Sequence, residues 1–426
     1  MNLLIKNGTV VTHEIEQQAD ILIENGRIRQ IAAEIDMKAD QSIDAKNKYV
    51  LPGLVDVHVH FRDPGYTNKE TIESGGMAAV HGGFTKVLTM PNVQPVPNTP
   101  ELMASMVEQN KAKSVVSIGQ IAPITIDRVQ GAINNLSALK EAGAVAFSND
   151  GSGIQDAETM LQAMQLIAKL GVPLAAHVED ESLMKHGVVN KGTVADRLHL
   201  PGISELTETA QLARDLELVR QTGVHYHVCH ISTKRSVELV RRAKEDGLNV
   251  TAEVTPHHLL LDVTMIETDN SMFKMNPPLR TPADRRALLV GLLDGTIDMI
   301  ATDHAPHTEE DKSGSMLNAT FGITGLETSL QLIFTNLVHT KVLKMKDLVN
   351  LMSYQPARQF GLTNQGQITE WQPANLTIFD PTVISTIQKS NFYSKGTNSP
   401  FIGTAVKGQV QQTIINGKIV YSEDLK

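Results

Sequence analysis

Asp56-Val57-His58-Val59-His60 places two imidazoles two residues apart in an apolar, β-branched run. In a strand, residues at that spacing point to the same side, so both rings can reach one metal ion. Taken alone, an H-x-H is also found as a chance feature of an ordinary histidine-containing strand, the lesser of the two readings. Four further residues of metal-binding type change the balance: Asp150 in AFSNDG, His177 in PLAAHVED, His230 in HYHVCHIS and Asp303 in MIATDHAPH, each at the end of a different β-rich segment. Six nitrogen and oxygen donors without a thiolate suit one or two zinc ions with open coordination positions, the catalytic rather than the structural arrangement. A carboxylate reaching two ions would hold them about 3.5 to 4 Å apart. Zinc lowers the pKa of bound water from about 15.7 towards 7, which yields a nucleophile able to attack an amide carbon at neutral pH. Asp303 is placed either to accept and return the proton or to serve purely as a ligand.

Those donors need elements that bring them together. Apolar segments alternate with stretches of helix length, the form of repeated β-α units and a parallel sheet. About eight strands are expected: Tyr49 to His60, Lys86 to Asn92, Ser114 to Ala122, Ala144 to Asp150, Val172 to Glu179, Val224 to Ile231, Asn249 to Pro256 and Ile297 to Thr302. Helices are expected at Pro100 to Lys111, with proline in the first turn, and at Ala157 to Leu170, closed by Gly171. A closed (β/α)8 barrel collects the C-terminal ends of its strands on one face, where all six donors would converge. The competing open doubly wound sheet predicts a glycine-rich G-x-G-x-x-G turn, and the chain has none.

The first fifty residues alternate apolar and polar positions and contain Asn7-Gly8 and Asn25-Gly26, two-residue hairpin signals. The pattern returns at Asn375 to Phe379 and around Asn416-Gly417. Both ends are therefore expected to share a small β-sandwich domain, residues 1–51 and 363–426, flanking a barrel over 52–362.

Composition excludes other classes. The chain has 426 residues, 41% apolar and 20% charged, enough for a large core. Its 38 basic and 47 acidic residues give a net charge of -9, which offers no attraction to nucleic acid or anionic membranes. A lone cysteine, Cys229, in an apolar run reads as a buried thiol and fits a reducing, cytoplasmic setting. No apolar run approaches the roughly 18 residues of a membrane span, and the start lacks signal-peptide form.

Two segments, DVHVHFRDPG from Asp56 to Gly65 and ATDHAPHTEEDK from Ala301 to Lys312, resemble the signature segments of dihydroorotases in the amidohydrolase superfamily, most closely the longer bacterial type I enzymes. The resemblance implies reversible hydrolysis of dihydroorotate to N-carbamoyl-L-aspartate in pyrimidine synthesis. It implies that His58 and His60 bind one zinc with Asp303, that His177 and His230 bind a second, and that Asp150 bridges. Substrate contacts are implied for His60, Arg62, Asn92, Asn276 and His307, with backbone around Phe321 and Gly322. Many superfamily relatives bridge their metals with a carboxylated lysine near the end of the fourth strand, but no lysine occurs between Glu141 and Asp156, leaving Asp150 for that place. A homodimer and an association with aspartate transcarbamoylase are further family expectations.

Arg62 suits a substrate carboxylate through a bidentate pair, and an exposed structural arginine is its alternative. Asn92 and Asn276 sit beside proline-rich loops where asparagine also serves ordinary turns. His257 and His258 are left outside the site. His225 and His227, of opposite strand parity to His230, are expected to face the surrounding helices. The polar segment 308–319 is either a mobile lid or a solvated loop without a gating role. The rival functions are a hydantoinase, dihydropyrimidinase or allantoinase, and a barrel without catalysis that serves as a partner.

Overall fold

The computed structural model describes residues 2–129 and 131–425. Eight strands run parallel in sequential order: Leu54–Val59, Phe84–Thr89, Ser117–Ala122, Ala144–Phe147, Leu174–Ala176, Tyr226–Val228, Val250–Val254 and Met299–Ile300. Past the last strand, Val59 bridges His304 in parallel, and the His60 N–H donates to the His304 carbonyl at 2.9 Å, joining the eighth segment to the first. Asp56 reinforces this seam beneath the site by accepting from the Thr302 and His58 amides.

Strand alternation sorts the side chains. Phe84, Val87, Tyr226, Val228, Val250, Ala252 and Val254 pack outwards with the helices, while Val55, Leu88, Ile121, Ala146, Ala175, Cys229 and Met299 form a separate inner cluster with Ala357 and Phe360. The helix Ala157–Leu170 shows the local logic. Asp156 caps its first turn by accepting from the Thr159 amide, Gly171 ends it at φ +67°, and Met160, Ala163, Met164 and Ile167 repeat at the spacing of one buried face. The helix Pro100–Lys113 likewise starts on a Thr99 cap with proline in its first turn.

The barrel strands are shorter than the apolar runs that announce them. The run from Tyr49 divides: Tyr49–Pro52 pairs with Leu376–Thr386 in the sheet of the chain ends, and Leu54–Val59 enters the barrel. Gly53 is the joint, where a Cβ would lie 2.2 Å from the Thr85 side chain. The run Ile297 to Thr302 contributes only Met299–Ile300 to the ladder because the chain then turns through Asp303, a non-glycine residue at φ +49°.

The chain ends form one eight-stranded, mostly antiparallel sheet around Ile5, Ile21, Ile23, Ile28, Leu376, Ile378 and Ile414. Asn25-Gly26 and Asn416-Gly417 make the expected tight turns, with positive φ at every position. Asn7-Gly8 does not. It lies inside the continuous strand Asn2–Val11, where the register shifts between Ile5 and Gly8, so the pair builds a bulge instead of a hairpin. A side chain at Gly8 would meet Val50 Cγ2 at 2.6 Å, so the bulge also admits a neighbouring strand. Among the described residues no helix is long and apolar enough to cross a membrane.

Candidate active site

His58 is the penultimate residue of the first barrel strand and is fully buried. Its Nδ1 lies 2.6 Å from Glu253 Oε1, which leaves Nε2 free to face Asp150 Oδ1 at 3.3 Å and Asp303 Oδ1 at 3.4 Å. His60 is held in the same manner: Nδ1 meets Asn92 Oδ1 at 2.8 Å, and Nε2 lies 3.0 Å from Asp303 Oδ1 and 3.5 Å from Asp150 Oδ2. From the fifth and sixth strand ends, His177 Nδ1 and His230 Nε2 approach Asp150 Oδ1 at 3.6 and 3.7 Å. The Asp150 carboxylate thus faces all four imidazoles, and the six donors expected to converge do so.

These donors fit a metal centre. His58 Nε2 and Asp150 Oδ1 are buried without a hydrogen-bond partner, a costly state for polar atoms that a cation resolves. Ligand atoms of His58, His60 and Asp303, and of His58, Asp150 and His230, lie within 4.8 Å of one another. Electrostatics agree. Burial would raise the Asp150 carboxyl, but His58, His177 and His230 outweigh it and hold it well below the usual carboxylate range. Asp303, against the same burial penalty, is drawn down to about 2 by His58 and His60. Burial opposes a charge on His177, yet Asp150 and Glu179 raise it to about 10. An ion bound among these groups replaces such protons.

Above the donors lies a cavity of about 210 Å³, lined by His60, Arg62, Asn92, Asp150, His177, His230, Asn276, Asp303, His307, Phe321 and Gly322. Every residue expected to contact substrate is on its wall, and His58 lies out of reach beneath. Arg62, at φ +60°, turns its guanidinium inwards, with Nη2 3.4 Å from His307 Nε2. The exposed structural role is thereby ruled out for Arg62. His307 Nε2 donates to the Phe321 carbonyl at 2.8 Å, and burial, Arg62 and Lys69 push its pKa to about 2, so the ring is neutral. Asn276 donates to Glu179 Oε2 at 2.6 Å.

Two expectations are corrected. His227 does not face the helices: its Nε2 meets Glu253 Oε2 at 3.0 Å and its Nδ1 meets Thr251 Oγ1 at 2.8 Å, on the inward face with Cys229, while His225 Nε2 reaches the same Thr251 oxygen at 2.9 Å. Parity counted back from His230 fails because the strand ends at Val228 and His230 has φ +34°, which reorients its side chain. The segment 308–319 is not solvated throughout, as one of its two readings had it: Met316 is fully buried, Lys312 is 2% exposed, and Asp311 ties back to Lys69 at 3.2 Å. The buried thiol expected of Cys229 is present, its pKa pushed up by burial and by Glu253.

Sequence reasoning missed Glu253, the one carboxylate that holds both His58 and His227, and Glu179 behind His177 and Asn276. A signal for Glu253 existed: a charged residue in the apolar run Val250–Val254 needs a buried partner. His257, left outside the site, does lie outside the cavity, with Nε2 buried and unpartnered.

A family model described as Dihydro-orotase-like matches residues 47–236. The chain is 60% identical to a dihydroorotase of Pediococcus pentosaceus over 424 residues, covering 100% of both, and 53% identical to one of Lactiplantibacillus plantarum over 427 residues, covering 100% of this chain and 99% of the other. Among solved structures it resembles the L-hydantoinase (dihydropyrimidinase) of Arthrobacter aurescens, with a TM-score of 0.89 at 27% identity over 99% of this chain and 96% of that one. A D-hydantoinase of a Thermus species gives 0.87 at 26% identity, over 99% and 95%. Full-length identity to dihydroorotases, joined to a cyclic-amide hydrolase fold with a metal-type donor set at the barrel mouth, places the chain in the dihydroorotase family.

Proposed function

We propose that the barrel, over 52–362, interconverts (S)-dihydroorotate and N-carbamoyl-L-aspartate, with the small β domain of 1–51 and 363–426 packed beside it. The observation that carries this reading is the meeting of Asp150 with four imidazoles under a cavity that also holds Arg62. His58, His60 and Asp303 would hold one zinc ion and His177 and His230 a second, with Asp150 reaching both. Bound zinc supplies a water nucleophile at neutral pH and polarises the ring carbonyl.

The chain's own groups do the rest. Asp303, between His58 and His60 and open to the cavity, accepts the proton of the attacking water and delivers it to the ring nitrogen as the C–N bond breaks. Arg62 pairs with the substrate carboxylate, the feature that separates dihydroorotate from hydantoin and dihydrouracil. Asn92 and Asn276, each already fixed by one hydrogen bond, offer their remaining polar atoms to the ring, and neutral His307, its one N–H committed to the Phe321 carbonyl, stands beside Arg62 on the same wall. The homodimer and the association with aspartate transcarbamoylase come to this chain from the family resemblance.

A parallel assay on dihydroorotate, hydantoin, dihydrouracil and allantoin tests the reading. Turnover of dihydroorotate alone is expected, with Asp303→Ala lowering kcat by about 10²-fold or more and Arg62→Met raising KM. Equal rates on dihydrouracil overturn the substrate assignment. Elemental analysis of the purified protein gives the ion count, and one tightly held ion with full activity removes the bridging role of Asp150.

A further inference from the structure

Lys312 is one of the largest fully buried side chains in the molecule, and it belongs neither to the donor set nor to the cavity lining. It has no carboxylate within ion-pair distance among the described residues. Instead, its Nζ donates to three main-chain carbonyls, those of Lys274 at 3.0 Å, Thr320 at 2.9 Å and Gly322 at 3.0 Å. Three acceptors use all three N–H groups of an ammonium. Burying that charge is costly, so the arrangement asks for a return.

The captured carbonyls belong to the wall of the cavity. Thr320, Phe321 and Gly322 line it, and Lys274 stands two residues before Asn276. Within this wall nearly every main-chain group is committed. The Gly322 amide donates to the Lys274 carbonyl at 3.0 Å, the Gly322 carbonyl also accepts from Asn398 Nδ2 at 3.0 Å, and the Phe321 carbonyl accepts from His307. The Thr320 amide donates to the Asp311 carbonyl at 2.8 Å. The Phe321 amide is different, having no acceptor among the described residues. It belongs to the same trans peptide as the Thr320 carbonyl, and in a trans peptide N–H and C=O point in opposite directions. With the carbonyl bound to buried Lys312, the amide hydrogen points away from the ammonium.

We infer that Lys312 is a positioning residue: by capturing the Thr320 carbonyl it aims the Phe321 N–H at an acceptor oxygen of the bound substrate. The segment 308–319 is then a strap that delivers this ammonium behind the wall. Its anchors fit that role, since Asp311, next to Lys312, pairs with Lys69, and Lys69 Nζ lies 3.4 Å from His307 Nδ1. The fixed wall, the neutral histidine and the strap form one hydrogen-bonded unit facing the substrate. This inference rests on the dihydroorotase reading, in which that wall contacts substrate.

Steady-state kinetics on dihydroorotate, with zinc content and melting temperature measured alongside, test it in Lys312→Met and Lys312→Arg. The first keeps the stem and removes the donors; the second keeps the charge but cannot place three N–H groups on three converging carbonyls. Both are expected to raise KM about tenfold, the usual scale of one well-made hydrogen bond, with kcat changed less than threefold and zinc content unaltered. A normal KM in either soluble variant overturns the inference, as does a loss of kcat alone with less zinc bound, the mark of a purely structural role. If Lys312→Met is insoluble, Lys312→Arg decides. Failure of the unaltered protein to turn over dihydroorotate removes the functional reading and this inference with it; turnover by the unaltered protein with normal KM in the variants removes only the inference.

Discussion

Each imidazole of the first pair is held by its outer nitrogen, and the partner differs: the carboxylate of Glu253 for His58, the amide oxygen of Asn92 for His60. This fixes which nitrogen faces the site and, for His58, would raise the basicity of the ring towards a metal ion. Glu253 also accepts from the His230 amide at 3.2 Å and meets His227, so one buried carboxylate holds both the His58 and the His230 positions from beneath. Against the burial penalty, His58 and His227 hold it far below the ordinary glutamate range, so it is ionised. Glu253→Gln keeps the size and loses the charge. Zinc affinity of the metal-stripped protein, measured by competition with a chelator, is expected to fall about ten- to a hundredfold; unchanged affinity would separate Glu253 from ligand orientation.

Strands supply the site with direction, but their ends supply it with geometry. His230, Asp303 and Arg62 all have positive φ, a conformation costing on the order of 1–3 kcal/mol for a residue with a side chain. Such turns persist only when the surroundings hold them, and Glu70 is one of the holders. From the loop before the helix Ile72–His81 it accepts from the hydroxyls of Ser74 and Ser394 and from the Lys395 amide, and it faces His304 Nε2 at 3.4 Å, one residue beyond Asp303. Burial would raise its pKa, but His304, Ser394 and Ser74 lower it below the ordinary 4.5. A depressed carboxylate stabilises the fold above its unfolded pKa and loses that contribution as pH falls through the folded value. Glu70→Ala is expected to cost about 2–3 kcal/mol near neutral pH, the cost of orphaning buried donors, with the gap to the unaltered protein narrowing below pH about 4.5. Urea melts at several pH values check this, and a gap that widens in acid contradicts it.

For the molecule as a whole, the donors come from the first, fourth, fifth, sixth and eighth barrel strands, so an ion bound at their centre would cross-link much of the ring. A ligand bound only by the folded state stabilises it in proportion to the logarithm of its concentration, about 2.7 kcal/mol at a hundred times the dissociation constant. Chelation is therefore expected to abolish activity and to lower the melting temperature together, with both returning as zinc is added back. A melting temperature indifferent to zinc while activity follows it would show that the ion does not bind the folded ring through these strands.

Residue type and short-range spacing determined much of this protein. His58 and His60 share a side because a strand repeats every two residues, and the remaining four donors announce themselves by ending apolar β runs, which also mark out the barrel. The chain in extended form says nothing, however, of which buried group meets which partner. Glu253 and His58 are 195 residues apart, and Lys312 finds carbonyls at Lys274 and Gly322 only once the wall is folded. The inward turn of His227, the bulge at Asn7-Gly8 and the tethering of 308–319 were decided in the same way. The first two depend on a positive φ at His230 and at Asn7, which non-glycine residues adopt only when other contacts compensate the strain, and the third on the Asp311–Lys69 pair and the buried Lys312; those contacts exist only in the tertiary structure.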